Sequence, residues 1–427
     1  MLDLVALFIG LTTLLAYVNY RFIKLPPAIG VMAMALLLSA LAQLATFSGY
    51  EVLEDHISHL VRDIDFTEVL MTWFLPALLF AGALHVDLND LKEFKWQIGG
   101  LATLGVIVST FVVGWLAEFV FGAVGWEISL VYCLLFGALI SPTDPIAVMG
   151  ILKTSGAPRP LQSTITGESL FNDGSAIVIF TILLGVLALG TPPTAIEISL
   201  LFLKEAVGGV VFGLGLGVIV YRMIRSISDH QITVLLTLAL VFGGSALADE
   251  LHVSAPITMV VAGLIIGNHG RRSAMDEVAR RYVDGFWAVI DSILNSLLFA
   301  LIGLELLVLP LTWMHVVIGL ALGAVVLVAR MIVIAPAVIV ARFRGFYVPR
   351  GTSRVLMWGG LRGGVSVALA LSLPPGFARD TILTVTYVVV LVSILVQGLT
   401  IGKVVARHFG QIEDPGQRGV AEVSTET

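Results

Sequence analysis

Thirteen apolar runs of helical length leave this chain few ways to fold. They lie at about 2–20, 26–47, 66–86, 97–121, 128–151, 161–190, 196–221, 231–249, 254–268, 283–309, 313–341, 352–373 and 380–406. Runs of this length and composition are read as membrane-spanning helices, because in hydrocarbon every backbone N–H and C=O must find its partner inside the segment. The expected fold is therefore all-α and polytopic, with about thirteen transmembrane helices. Composition agrees: 13% of residues are charged, against about 25% in an average soluble domain. The net charge of −6 decides little, since in such a protein the distribution of charge matters more than its sum. A single cysteine, Cys133, sits in an apolar run, which removes intrachain disulfides and cysteine metal sites from consideration. Met1-Leu2-Asp3 offers neither a basic leader region nor a cleavage site, so the first run reads as a retained helix.

Lysine and arginine orient the chain. Fifteen of them lie in the alternate connections that begin at Arg21 and Lys24, and Lys403 lies at the end of the last run, with Arg407 and Arg418 beyond it. The other connections hold only Arg62 and Arg379. The positive-inside rule then places the N-terminus outside and the C-terminus in the cytoplasm of a cell whose plasma (inner) membrane the protein crosses many times. The connection 48–65 is acidic and is expected to form a short surface helix outside. The stretch 409–427 reads as a short polar cytoplasmic tail.

Against this apolar background a few polar residues stand out. A charged side chain at mid-membrane costs ~2.5–3.5 kcal/mol on insertion scales. The sixth run nevertheless carries Gly167-Glu168-Ser169-Leu170-Phe171-Asn172-Asp173-Gly174. On a helix Ser169 and Asp173 share one face, and Glu168 and Asn172 share the next. Packing alone would not require such a group; a buried ion or proton site would. Arg330 and Arg362 fall well inside the eleventh and twelfth runs and need partners, whereas Lys204 and Arg354 lie near span ends, where long side chains reach water. In the tenth run Asp291 and Asn295 read as rim residues, and Glu305 as a candidate for the lining of an access path. None of the eight histidines falls at mid-membrane, so the site chemistry is expected to rest on carboxylates.

Two runs are interrupted. In the fifth, Ser141-Pro142-Thr143-Asp144-Pro145 places two prolines three residues apart, which removes backbone donors and frees carbonyls. Asp144 is expected to cap a second half-helix that opens at Pro145, a role compatible with binding an ion. In the twelfth, Trp358-Gly359-Gly360-Leu361-Arg362-Gly363-Gly364 sets four glycines around one arginine. At membrane depth unwound backbone survives only inside protein or beside a water-filled cavity. The seventh run, with Gly209, Gly213 and Gly217 at four-residue spacing, reads as a closely packed linker helix. Six runs lie on either side of it, and the fifth of each set is the broken one. Paired interruptions of this kind point to two inverted six-helix repeats with the site at the midplane.

Ser141–Pro145, Gly167–Gly174 and Gly360-Leu361-Arg362-Gly363-Gly364, taken together and in this order, resemble the motifs of a sodium/proton antiporter of the NhaP/NHE type. The resemblance covers essentially the whole membrane region. It implies a transmembrane antiporter domain over 1–408, with a mobile core of about 97–190 and 313–406 and a dimerisation scaffold of about 2–86 and 196–309. Asp173 would bind cation and proton alternately. Asp144, Ser169 and the backbone carbonyl of Thr143 would complete the cation shell, and Asn172 would brace the broken helix. Glu168 would pair with Arg330, and Arg362 would sit at the helix crossing. Many relatives carry an acidic residue where this chain has Ala81. The resemblance implies no cofactor beyond Na⁺ and H⁺ as substrates, a homodimer, and no nucleic-acid partner.

Chemistry read from the residues agrees. A hard cation needs several oxygens, and burial disfavours the charged form of a carboxylate, so proton and cation are expected to compete for Asp173. Relatives with two adjacent aspartates tend to be electrogenic, so the resemblance implies, for the Asn172-Asp173 pair here, electroneutral exchange of one cation for one proton. K⁺/H⁺ exchange is the alternative within transporters. From a different class, an intramembrane aspartic protease would pair Asp144 with Asp173, but the flanking Pro, Asn and Arg residues suit ion coordination better. A channel would not need mobile, charge-compensated half-helices.

Overall fold

The computed structural model describes residues 2–47, 68–144, 148, 149, 152, 157–189, 194–307, 309, 311–345 and 348–409. The expected outer surface helix at 48–65, the half-helix opening at Pro145 and the tail at 411–427 lie outside the described residues.

The described residues are helical and contain no strand. In chain order the helices are α1 (Leu2–Val18), α2 (Pro27–Phe47), α3 (Leu75–Leu84), α4 (Leu88–Glu93), α5 (Lys95–Gly100), α6 (Val106–Ala123), α7 (Leu130–Ile140), α8 (Arg159–Leu189), α9 (Ala195–Phe202), α10 (Gly208–Arg225), α11 (His230–Glu250), α12 (Ala255–Ile265), α13 (Glu277–Glu305), α14 (Trp313–Phe343), α15 (Thr352–Trp358), α16 (Gly364–Leu371), α17 (Phe377–Val392) and α18 (Leu399–Phe409). Wider helical turns join several of these, so that α5 and α6 form one continuous rod, as do α17 and α18. Among the described residues eight helices, of 18 to 33 residues, are long and apolar enough to cross a bilayer, and four shorter apolar helices accompany them.

Caps fix where many of these helices begin. Asp229 accepts from the N–H of Ile232 at 2.9 Å, and Asp276 accepts from that of Ala279 at 2.7 Å. Ser254 does the same for Ile257, with Pro256 in the first turn of α12. These caps sit at the ends of apolar runs, where orphaned N–H groups would otherwise face the membrane interface.

Side chains such as Trp115, Phe119, Leu214, Leu235 and Val328 are exposed. A soluble protein rarely shows this much apolar surface, but a lipid-facing one requires it. Inside, the helices pack closely. A Cβ on Gly213 would lie 2.6 Å from the carbonyl oxygen of Thr258, and one on Gly209 would lie 2.9 Å from that of Ser254. The glycine stripe of α10 therefore lets α12 come almost to backbone contact, and Thr258 Oγ1 donates to the Gly209 carbonyl at 3.2 Å. One buried apolar cluster includes Phe136 of α7, Leu322 of α14 and Tyr387 of α17. Another includes Phe80 of α3, Met259 of α12 and Trp287 of α13, with the rings of Phe80 and Trp287 4.8 Å apart. The long helix α8 packs against α7 and α12, and both interrupted segments come to it.

Candidate functional site

The two interruptions meet. Helix α7 stops at Ile140, where two prolines are about to remove donors, and residues 142–144 are unwound. Helices α15 and α16 stop short of each other and leave 360–363 unwound. The N–H of Asp144 donates to the Leu361 carbonyl at 2.8 Å, so each break satisfies part of the other. Gly363 lies against Asp144 so closely that a Cβ there would stand 2.6 Å from Oδ2 of the carboxylate.

Arg362 occupies the crossing. Its Nη1 donates to the carbonyls of Ser141 at 2.6 Å and Pro142 at 2.8 Å, which the broken α7 can no longer bond internally. Ser393 Oγ accepts from the Arg362 N–H at 3.1 Å and donates to Gln397 Oε1 at 2.7 Å. Gln397 Nε2 in turn donates to the Trp358 carbonyl at 3.2 Å. The sequence reading missed Ser393 and Gln397. Their signal was present: two polar residues four apart in an otherwise apolar run.

Helix α8 delivers its polar residues in two directions. Glu168, 1% exposed, faces α14 and is held by both terminal nitrogens of Arg330, with Nη2 to Oε2 at 3.0 Å. Arg330 Nη2 also donates to the Leu356 carbonyl at 3.3 Å. A bidentate, dry pair of this kind compensates the burial of both charges. Asn172 turns to the unwound segment: its Nδ2 donates to Thr143 Oγ1 at 2.9 Å, and its Oδ1 accepts from the Thr143 N–H at 3.5 Å. Thr143 Oγ1 is 3.0 Å from Ser169 Oγ.

Ser169 and Asp173 look instead into a cavity of about 550 Å³. Thr143 and Asp144 line it from the first break, and Gly363 and Ser366 from the second. Among the described residues Asp173 accepts no hydrogen bond, and the nearest charge acting on it is that of Asp144. The same cavity is lined by Asp291 and Asn295 of α13 and by His85 and Asp87 after α3. Its titratable lining is four aspartates and one histidine, with no lysine or arginine among the described residues. Two readings of the tenth run change here. Asn295 is buried in the cavity wall, not on a rim, because one face of α13 turns inward. Glu305, at the far end of α13, is not on that wall: it is buried near Arg379 and Tyr387. Ala81 lines the cavity, its carbonyl receiving His85 Nδ1 at 2.8 Å, while the third partner of Arg330 is the Leu356 carbonyl.

A multi-pass helical membrane protein, with two unwound segments meeting beside half-buried carboxylates that line a cavity, is the class that these features define. The profile of the family described as sodium/hydrogen exchanger, transmembrane, matches residues 10–407, and the chain belongs to that family. It is 65% identical to the Na⁺/H⁺ antiporter NhaP of Pseudomonas aeruginosa over 412 residues, covering 96% of this chain and 97% of the relative. It is 33% identical to the Na⁺/H⁺ antiporter NhaH of Halobacillus dabanensis over 92% of this chain and 94% of that one. Its fold is similar to that of the sodium proton antiporter MjNhaP1 from Methanocaldococcus jannaschii, with a TM-score of 0.76 at 19% identity, covering 95% of this chain and 98% of the other.

Proposed function

We propose that this protein exchanges Na⁺ or Li⁺ for H⁺, one for one, by alternating access around Asp173. The observation that carries the reading is the cavity: Asp173 and Asp144 line it, and its described lining includes no lysine or arginine. A cleft lined by one sign of charge with low-dielectric walls concentrates the opposite ion. There a partly dehydrated cation would find the carboxylates of Asp173 and Asp144, the hydroxyl of Ser169 and the backbone carbonyl of Thr143, the hard oxygen donors that such an ion takes. Asn172 and Arg362 hold that backbone unwound and keep its other carbonyls occupied. A proton on Asp173 removes the charge that binds the cation, so one ligand excludes the other. Asn172 beside Asp173 leaves one carrier carboxylate on α8, hence one charge in each direction and no net current.

In this reading the chain crosses the membrane thirteen times as two inverted halves. The core of about 97–190 and 313–406 moves against a dimeric scaffold of about 2–86 and 196–309. With the N-terminus outside, His85 and Asp87, which follow α3, would lie toward the cytoplasm, and the cavity would open inward. The deciding experiment follows proton movement in proteoliposomes given Na⁺, Li⁺ or K⁺ pulses, for wild type and Asp173→Asn. Wild type should respond to Na⁺ and Li⁺ irrespective of an imposed membrane potential, while the folded variant stays silent. A response to K⁺ alone would replace the substrate. Exchange by Asp173→Asn at the wild-type rate would overturn the assignment of the carrier.

A further inference from the structure

The wall of the cavity contributed by α13 is polar where an apolar wall would serve packing equally well. Asp291 and Asn295, four residues apart, share one face of α13 and both line the cavity. Asn295 Nδ2 donates to Asp291 Oδ1 at 3.1 Å and to the Asp291 carbonyl at 2.8 Å. Its other atom, Oδ1, is buried without a partner among the described residues, in a side chain that is 4% exposed. A buried amide oxygen left unpaired is unfavourable, and a structural role for the Asp291–Asn295 bond does not account for it. Asp291 itself is half-buried, and among the described residues no lysine or arginine lines its cavity. The other titratable groups on the wall are His85, Asp87, Asp144 and Asp173. His85 holds its Nδ1 against the Ala81 carbonyl.

We propose that Asp291 and Asn295 form a second cation station, distinct from the one at Asp173. It would hold a hard monovalent cation, with part of its water shell, between the Asp291 carboxylate and the Asn295 amide oxygen. A carboxylate fixed by its neighbour's NH2, next to an unsatisfied carbonyl-type oxygen, is the donor set such an ion takes. The two stations stand on different elements: Asp173 on α8, facing the unwound segments, and Asp291 on α13. In this proposal a cation is captured at Asp291 before it reaches the group that exchanges it for a proton. Loss of the station should weaken capture at low Na⁺ and leave turnover at saturating Na⁺ nearly intact. The inference rests on the exchange reading above.

The test measures the Na⁺ dependence of exchange in proteoliposomes with Na⁺ supplied from the cavity side, for wild type, Asp291→Asn, Asp291→Glu and Asn295→Leu. Asp291→Asn keeps the shape of the side chain, so its kcat should stay within about two-fold of wild type while KM rises ~10-fold, the ratio that ~1.4 kcal/mol of lost attraction produces. Asp291→Glu should recover most of the affinity, and Asn295→Leu should also raise KM. The series is repeated at high choline chloride, where long-range attraction is screened. A rise in KM that persists there marks direct ligation. An unchanged KM in Asp291→Asn, a rise that vanishes in choline chloride, a loss of kcat at unchanged KM, or a wild-type KM in Asn295→Leu would each overturn the station. Failure of the exchange reading would look different: wild type itself would move no protons in response to Na⁺.

Discussion

Glu168 and Asp173 stand five residues apart on α8, and the two carboxylates have opposite surroundings. Glu168 is sealed against α14, its oxygens taken by the two terminal nitrogens of Arg330. Asp173 opens on a cavity and has the negative Asp144 as its charged neighbour, with no hydrogen bond from any described residue. One charge is compensated permanently by the protein. In the exchange proposed above, the other would take its partner from solution. Because the turn of a helix separates the two faces, a single element can supply both a fixed pair that locks it to its neighbour and an open carboxylate that must change partners. A site that binds cation and proton in turn needs the second arrangement, and it needs the first to hold the helix still while the partner changes.

Behind the silent Asp173→Asn protein already described, the next largest effect should come from the sealed side. Arg330→Met leaves Glu168 buried without its partner, and breaking a buried pair in this way costs ~3–5 kcal/mol. Thermal unfolding in detergent should show it as a large fall in Tm. The double variant Arg330→Met/Glu168→Leu removes both charges and should recover most of the loss. If the single substitution left Tm unchanged and abolished exchange instead, Glu168 would belong with Asp173 and the contrast along α8 would collapse.

The open side should respond to geometry more than to stability. Gly363→Ala places a methyl 2.6 Å from the Asp144 carboxylate, closer than atoms approach without moving. The unwound segment has to shift, and with it the oxygens grouped around Asp173. A drop in exchange of ~10-fold or more is expected, with Tm within a few degrees of wild type; ten-fold corresponds to ~1.4 kcal/mol. Wild-type exchange in this variant would separate Asp144 from the transport step.

Much of this arrangement was legible in the chain. Membrane helices must bond their own backbone, so the apolar runs already marked out the all-helical fold. Charge was too costly at that depth to be incidental, which singled out Glu168, Asp173, Arg330 and Arg362. Distances across the fold were not legible. No local pattern says that Arg362 reaches the carbonyls of Ser141 and Pro142, more than two hundred positions away, or that Ser393 and Gln397 support it from the wider turns after α17. Periodicity places Asp291 and Asn295 on one face of α13 but does not say whether that face meets lipid, protein or water. The cavity decides that, and a cavity belongs to several elements at once.

The smallest effect, and the finest probe of the contrast, is expected at Thr143, where the braced and the open sides of α8 touch. Its hydroxyl accepts from Asn172 and lies within hydrogen-bond distance of Ser169, so it links the amide that supports the broken helix to a hydroxyl on the cavity wall. Thr143→Val keeps the shape, deletes that link and leaves the backbone carbonyl in place. An unsatisfied buried partner costs ~1–3 kcal/mol, so Tm should fall by a few degrees. Because the carbonyl and both carboxylates remain, the Na⁺ KM should rise only a few-fold and kcat should change less. Loss of exchange at unchanged Tm would instead make the Thr143 hydroxyl a ligand in its own right. The open side would then include the side chain of Thr143 as well as its carbonyl.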